Sequence, residues 1–481
     1  VFSGPSKKAI VHPLLQQYSR DLVWRKSGRS TITAARATET AAPLPSPPRN
    51  ELRNKVALKT IAENPRLFRV TTPINVDRFE KYLKDHPNQP FAKSVCRGLR
   101  KGFWPFADTS DPSLPTTLDN SSRPILSRKK AEFIRQQRDE EVKLKRWSKP
   151  FGKLLPGMYS SPIGAVPKGN SGKFRLVVNH SRGEHSLNSM IPRSQVKVKL
   201  DDIHDLGSTL MAVRKKHGTT KKLVVFKSDV KNAYRLMPVH PLWQIRQAVT
   251  VDGKRHIDRC NSAGSRAGGW IWDSFMSLVL WIGIDVKGIP DLLGYVDDDF
   301  SWEFKNNKKF YKPYNKYLPA KQARYLELWD ELGIPHDESK QLFGPSLPII
   351  GYDVDPNAMV VKVPTEKKAN VIQQLRSVAH EGQSYTLQQL QSVAGSVSTT
   401  ILSIYPHLRP RLRALFDKMA GQEGAQTKLK VTKPIAHNLL QLADYLEHAG
   451  GVPIRRIGEG SRTKIHGEVE MRGNSGNLIA N

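Results

Sequence analysis

The stretch GIPDLLGYVDDDFSWEF, residues 288–304, constrains this chain more than any other. Asp297, Asp298 and Asp299 stand side by side between two apolar runs. Adjacent carboxylates repel, and a carboxylate drawn out of water is costly unless a cation or hydrogen bonds meet it. Each flanking run has the length and the aliphatic or aromatic character of a strand. The pattern predicts a β-hairpin with a two- or three-residue turn. Two readings of the acids follow: a solvated Asp-rich turn, or carboxylates that meet metal ions at the tip of a buried sheet.

Charge favours a polyanionic partner. Lys and Arg number 76 against 44 Asp and Glu, a formal net charge of +32. An excess of that size points first to nucleic acid. A basic membrane-surface protein would need a Lys-rich amphipathic helix with a bulky apolar face, and none stands out. The longest apolar run, residues 275–284, is too short to span a bilayer. The N-terminal residues lack the apolar core of a signal peptide. Cys96 and Cys260 are the only cysteines. They provide neither a metal-binding spacing nor a disulfide framework, and they fit a reducing compartment. The expectation is an intracellular protein of nucleus or cytoplasm, with no signal peptide or transmembrane segment. The chain begins at Val1, as a fragment would.

At 481 residues the chain is expected to hold about two to four domains. Residues 1–50 carry eight Lys or Arg against two acids and end in AAPLPSPPRN. They are expected to form a basic disordered tail with a Pro-rich linker. Residues 51–150 are expected to be a partly helical extension, with Ser127 as N-cap of a charged helix at its end. Residues 151–363 alternate short strands and helices. They hold a hairpin from SSPIGAVPK to GKFRLVVNHS, a buried strand at 223–226 and the apolar helix GGWIWDSFMSLVLWIGIDV. The acidic hairpin, the amphipathic helix ARYLELWDELGI and further strands follow. That order predicts an α+β domain, not a doubly wound sheet. Residues 364–453 read as a helical bundle, with a capping box at Thr386 and Gln389. Leu387, Leu390, Ala394, Val397 and Ile401 share one helix face there. Residues 454–481 show no apolar period and are expected to be disordered.

Two-metal phosphoryl transfer needs carboxylates from separate elements to meet at divalent ions about 3.5–4 Å apart. Asp229, just beyond the LVVF strand, and the hairpin acids Asp297 and Asp298 would supply them. At this point the chain resembles a known family. YVDD (295–298) resembles the hairpin motif of reverse transcriptases, and DVKNAY (229–234) resembles their first carboxylate motif. SPIGAVPKGNSGKFRLVVNHS resembles their fingers hairpin, and LGIPHDESKQLFGPSLPIIGYDVD their late palm motifs. The four stand in the family's order, and the resemblance covers roughly residues 156–410. SDVKNAYRLMPVHPLWQ and TLQQLQSVAGSV most resemble retroelements with a tyrosine recombinase, the DIRS class, notably fungal ones.

The resemblance implies an RNA-directed DNA polymerase of a retrotransposon. Its fold would be a right hand with fingers and an antiparallel palm in residues 151–363 and a helical thumb in 364–453. It implies two Mg²⁺ ions, or Mn²⁺ in their place, held by Asp229, Asp297, Asp298 and the carbonyl of Val230. Asp299 would only add negative field. Lys168 and Arg175 would bind the triphosphate of a dNTP, one as a point charge and one as a fork. Tyr234 would be the steric gate that excludes a 2′-hydroxyl, and Gly264 would belong to the nucleotide pocket. Lys340 would protonate departing pyrophosphate, and Gly351 with Tyr352 would form the primer-grip turn. The implied partners are an RNA or DNA template with its primer, held through phosphates, and no membrane. The chain departs from the family at Ala263, where Gln or Phe is usual, and at Asn179 and His180, which replace an Asp and an aromatic. A second expectation therefore stays open: a decayed or domesticated retroelement protein that binds nucleic acid without catalysis. An RNA-dependent RNA polymerase would carry Gly-Asp-Asp at the hairpin and no aromatic gate, against Tyr295 and Tyr234 here. No ribonuclease H domain is expected, because the stretch from Gly458 has no Asp and no buried-strand pattern.

Overall fold

A computed structural model describes residues 32–121, 127–168, 172–192 and 199–454. They fall into two compact units, one ending at Pro364 and one beginning at Thr365. The chain is α+β.

The first unit contains the helices α1 (Lys55–Glu63), α2 (Val76–Tyr82), α3 (Gln89–Lys101) and α4 (Arg128–Lys143). The hairpin β1 (Ile163–Pro167) and β2 (Phe174–Val178) follows, then α5 (Ile203–His217) and β3 (Leu223–Asp229). Next come α6 (Gly268–Trp281), β4 (Leu293–Tyr295), β5 (Asp298–Phe304), α7 (Ala320–Leu332) and β6 (Leu342–Gly344). The antiparallel pair β7 (Leu347–Ile349) and β8 (Tyr352–Asp355) lies near its end.

The sheet that positions the acids has the order β6–β3–β5–β4, antiparallel throughout. Its register pairs Asp229 with Asp298, Ser228 with Asp299 and Lys227 with Phe300. Side chains alternate faces along a strand, so Asp229 and Asp298 share one face while Ser228 and Asp299 occupy the other. Helices α6 and α7 cover the second face. Tyr325 of α7 donates to Asp299 at 2.6 Å, and Gln322 lies 3.2 Å from the Ser228 hydroxyl. A Cβ on Gly294 would meet Leu280 of α6 at 2.7 Å, so glycine permits that close approach. On the first face, α5 covers the half remote from the acids, where His217 packs edge-on against Phe304 at 5.2 Å. At the acidic end Tyr295 remains 37% exposed.

Helix α6 is apolar on nearly every side, as a helix enclosed by protein must be. The apolar run at 275–284 is part of a longer helix: with a π-helical continuation, Gly268–Val286 is long and apolar enough to cross a membrane by length and composition. Its most apolar window is 72% buried inside the protein.

The expected disordered tail needs correction. Residues 1–31 lie outside the described residues, but 32–50 are built into the first unit. Ala34 and Ala35 are buried in a helical turn, Ala34–Ala37, that packs on α6. The backbone N–H of Ala34 donates to buried Asp201 at 2.8 Å, and that of Leu44 to Ser94 at 2.9 Å. Just beyond, buried Glu51 accepts two hydrogen bonds from Arg246, at 2.7 and 3.1 Å. Alanines make little apolar signal of their own; the burial comes from the face of α6 they fit against.

Helix α4, charged along most of its length, still buries part of one face. Ile134 joins Ala165 and Val178 of the β1–β2 hairpin in a small core, and the Phe133 and Phe174 rings lie 5.7 Å apart. Ser127 occupies the N-cap position without a capping bond from its side chain.

The second unit contains α8 (Thr365–Val378), α9 (Leu387–Thr400) and α10 (Lys433–His448). The capping box of α9 is present: Gln389 N–H donates to the Thr386 hydroxyl at 3.2 Å, and Thr386 N–H to the Gln389 carboxamide at 2.9 Å. Leu387, Leu390, Ala394, Val397 and Ile401 are all buried. A short ladder, Ser384–Thr386 with Lys428–Lys430, adds strand to a region read as purely helical. Residues 455–481 lie outside the described residues.

Candidate active site

Two strands and one tight turn bring the acids together. Asp229 ends β3 and Asp298 opens β5, directly opposite it. Tyr295 and Asp298 pair across the β4–β5 hairpin, so the turn is Val296 and Asp297. Val296 has φ +60°, which suits the first turn residue of a type II′ hairpin, a position that favours glycine. A β-branched residue there costs on the order of 1–3 kcal/mol. Two hydrogen bonds hold the turn against that cost. The Trp272 indole of α6 donates to the Val296 carbonyl at 2.6 Å, and the Val230 N–H donates to the Asp297 carbonyl at 3.2 Å. Val230 itself is buried immediately after Asp229.

The acids are crowded and partly buried. Burial raises the pKa of Asp297, and the charge of Asp229 raises it further. Burial also raises Asp298, against the pull of Lys227. Two lysines answer the charge. Lys340 Nζ lies 2.5 Å from Asp229 Oδ1, and Lys227 Nζ lies 3.3 Å from Asp298 Oδ2. Burial is the largest influence on Lys340 and would lower its pKa, but the hydrogen bond to Asp229 together with the charges of Asp229, Asp297 and Asp337 outweighs it and raises the pKa. Among the described residues no three His, Cys, Asp or Glu side chains stand as a ready metal-binding group. Asp229, Asp297, Asp298 and the Val230 carbonyl would offer oxygen donors only, the chemistry a hard divalent cation takes.

Asp299 faces away from this site. It lies on the opposite face, fully enclosed and bonded to Tyr325, and burial holds its pKa well above the usual carboxylate range. Asp299 is turned into the core because strand alternation points every second side chain inward.

Tyr234 borders the same site. Burial pushes its phenol up to about 12, and the next causes are the charges of Asp273 and Asp297. Gly264 lies where no other residue fits: a Cβ there would stand 2.0 Å from the Val178 carbonyl oxygen at the end of β2. Gly264→Ala is expected to force that loop and the hairpin apart, at about 1–3 kcal/mol. Urea denaturation checks this; an unchanged midpoint would remove the packing account. His180 beside it is buried, which pushes its imidazole down to about 4.

The other expected site residues are placed separately. Arg175 is an exposed residue of β2 opposite Val166, and the Lys168 N–H donates to the Lys173 carbonyl at 2.8 Å. Among the described residues no hydrogen bond or ion pair joins Arg175 to the acids. In the β7–β8 connection the two turn residues are Ile350 and Gly351, both with positive φ. Tyr352 is not a turn residue: it pairs with Ile349 at the start of β8 and is buried.

Sequence reading overlooked Lys227, Trp272 and Asp273. The signal for Lys227 was available, since it precedes Asp229 by two residues and must share its face. Trp272 and Asp273 sit in an apolar helix and carry no local sign of what they approach.

No protein-family model matches this chain, and no curated protein does. Among solved structures it is similar to foamy viral protease–reverse transcriptase. One structure, designated dRH and in complex with double-stranded DNA, shows 17% identity over 81% of this chain and 64% of its own, with a TM-score of 0.48. Another, with an RNA/DNA hybrid, shows 16% identity over 82% of this chain and 50% of its own, with a TM-score of 0.49. A third, with double-stranded DNA, shows 18% identity over 82% and 75%, with a TM-score of 0.49. This chain thus spans about 64% of the length of the first. Identities of 16–18% leave its activity to be argued from its own residues.

Proposed function

We propose that this chain is an RNA-directed DNA polymerase of a retroelement that transfers a nucleotidyl group from a dNTP to a primer 3′-hydroxyl. The observation that carries the reading is the cross-strand pair Asp229 and Asp298, with Asp297 held beside them in a strained, doubly tethered turn. Asp229, Asp297, Asp298 and the Val230 carbonyl would hold two Mg²⁺ ions, or Mn²⁺. When bound, such ions lower the pKa of an attacking hydroxyl and neutralise the charge on a departing pyrophosphate.

The remaining roles follow from what the side chains can do. Lys340 already lies against Asp229, in reach of an anion at the acids, and would deliver a proton to pyrophosphate. Lys168 and Arg175, on the hairpin taken as fingers, would bind the triphosphate. Gly264 would keep the pocket floor thin, and the turn at Gly351 with Tyr352 behind it would guide the primer. The unit from Thr365 would act as thumb. Template and primer would be held largely through phosphates, so affinity should fall steeply with salt. Within the family, the DIRS class of fungal retroelements is the proposed origin.

Two tests apply. The first is extension of a DNA primer on RNA and DNA templates with Mg²⁺ or Mn²⁺; no extension on either would overturn the reading. In the second, Tyr234→Ala should admit ribonucleotides at least about tenfold better, the loss of about 1.4 kcal/mol or more of steric rejection. Equal ribonucleotide use by parent and variant would remove the gate.

A second reading is a retroelement protein that binds nucleic acid without catalysis. Lys227 and Lys340 favour it, because they already neutralise Asp298 and Asp229. Salt-sensitive template–primer binding without extension would select it.

A further inference from the structure

Between β5 and α7 the chain forms a two-stranded ribbon, in which Lys308–Tyr311 pairs antiparallel with Lys316–Pro319. None of the motifs above includes it. A lone two-stranded ribbon is marginal in water, so one face must be anchored. Tyr311 and Leu318 are each 1% exposed, and the Tyr311 hydroxyl donates to Asp330 of α7 at 2.5 Å. Lys309 pairs with Glu327 of α7, and Lys316 with Glu338 at 3.5 Å. Those four residues account for the inner face. Alternation puts the cross-strand pair Phe310 and Tyr317 on the outer face. Their rings are 44% and 61% exposed, with centroids 5.3 Å apart. Anchoring the ribbon therefore gives no reason for two aromatic rings held together in water.

Charge indicates what the outer face meets. Residues 305–319 hold five lysines and no Asp or Glu. The two inward lysines have acidic partners on neighbouring elements. Lys305, Lys308 and Lys312 are exposed, and among the described residues their side chains meet no carboxylate. Lys308 shares the outer face with Phe310, about 7 Å along the strand. Open rings interleaved with unpaired cations suit a chain of bases and phosphates, since any base has a face to stack and any phosphate a charge to neutralise. A duplex would meet the lysines but keeps its base faces stacked inside, so the rings favour a single strand. We propose that the outer face of this ribbon is a separate binding site for single-stranded nucleic acid, with bases stacked on Phe310 and Tyr317 and phosphates met by Lys305, Lys308 and Lys312. The site uses none of the acids at the β4–β5 turn, and it stands whether or not the chain extends a primer.

The test uses the full chain, saturated with unlabelled blunt-ended DNA duplex so that any duplex cleft is filled. It is then titrated with short fluorescent single strands of RNA or DNA, read by anisotropy. Phe310→Ala combined with Tyr317→Ala should weaken single-strand binding at least about tenfold, the effect of losing stacked bases. Tyr317→Phe, which keeps the ring, should bind as the parent does. Lys308→Gln combined with Lys312→Gln should make the dependence of log K on log salt shallower by about 1.4, as for two lost phosphate contacts. Duplex affinity, measured separately, should not change in any of the three. A preference for RNA or for DNA, or equal binding of both, supports the site and shows which strand it takes. Single-strand binding unchanged in the double-alanine variant overturns the proposal and leaves the ribbon to a protein partner. An equal loss of duplex and single-strand binding also overturns it. Should the two alanines lower the melting temperature, the salt dependence of the glutamine variant decides, and an unchanged slope there overturns the proposal.

Discussion

Asp297→Asn is expected to lower the rate of primer extension at least about 10³-fold, because a carboxylate that holds a catalytic cation supplies several kcal/mol of transition-state stabilisation and each 1.36 kcal/mol is tenfold. Asp229→Asn and Asp298→Asn should do the same. The loss should appear in single-turnover extension with saturating template–primer, and duplex affinity should stay within a few-fold. Stability should move the other way. Asp297 is raised by burial and by Asp229, so its folded state carries a cost at neutral pH that the amide does not. Under the proposed function, a group that works at the site while destabilising its own fold is the expected trade-off. The measurement is extension and thermal melting on the same preparations. Extension within tenfold of the parent would show that Asp297 holds no essential cation.

Arg235→Ala should destabilise the first unit by about 3–5 kcal/mol, the cost of leaving buried charges without their partner. The Arg235 guanidinium lies 2.6 Å from Glu141 and 2.9 Å from Asp258, and also donates to the Asn261 carbonyl at 3.1 Å. Glu141 stands in the last turn of α4, and its other oxygen meets buried Arg146 at 2.8 Å. One guanidinium thus ties the end of α4 to the loop leading into α6, next door in sequence to Tyr234. Arg135 provides the comparison. It pairs with Asp252 at 2.9 Å, but both side chains are more than 40% exposed. Arg135→Ala should leave the urea midpoint almost unchanged, as for an ion pair in water. Urea midpoints of the two variants decide the matter. A cost below 1 kcal/mol for Arg235→Ala would mean that water or rearrangement replaces the pairing.

Period-two and period-3.6 patterns carried much of the secondary structure. The acidic hairpin, the β1–β2 hairpin, the apolar α6 and the capping box of α9 were all legible, because each depends on residues adjacent in sequence. Placement of residues 32–50 was not legible. Alanine and threonine supply close fit but little hydrophobic signal, so only α6 reveals where they go. The burial of Tyr352 was missed for a similar reason, since a two-residue turn at Ile350 and Gly351 shifts which side chain faces inward.

The sequence by itself determined that Asp229 ends an apolar strand and that Asp297 and Asp298 stand at a tight hairpin turn, since a strand end and a tight turn follow from local pattern and steric rules. Only the tertiary structure decided the environment of these acids. It paired the two strands across the sheet, placed Lys340 and Lys227 on two of the acids, turned Asp299 into the core against Tyr325, and set Asp273 near Tyr234. Desolvation and charge pairing depend on neighbours that are remote in the chain, and no local pattern of residues encodes them.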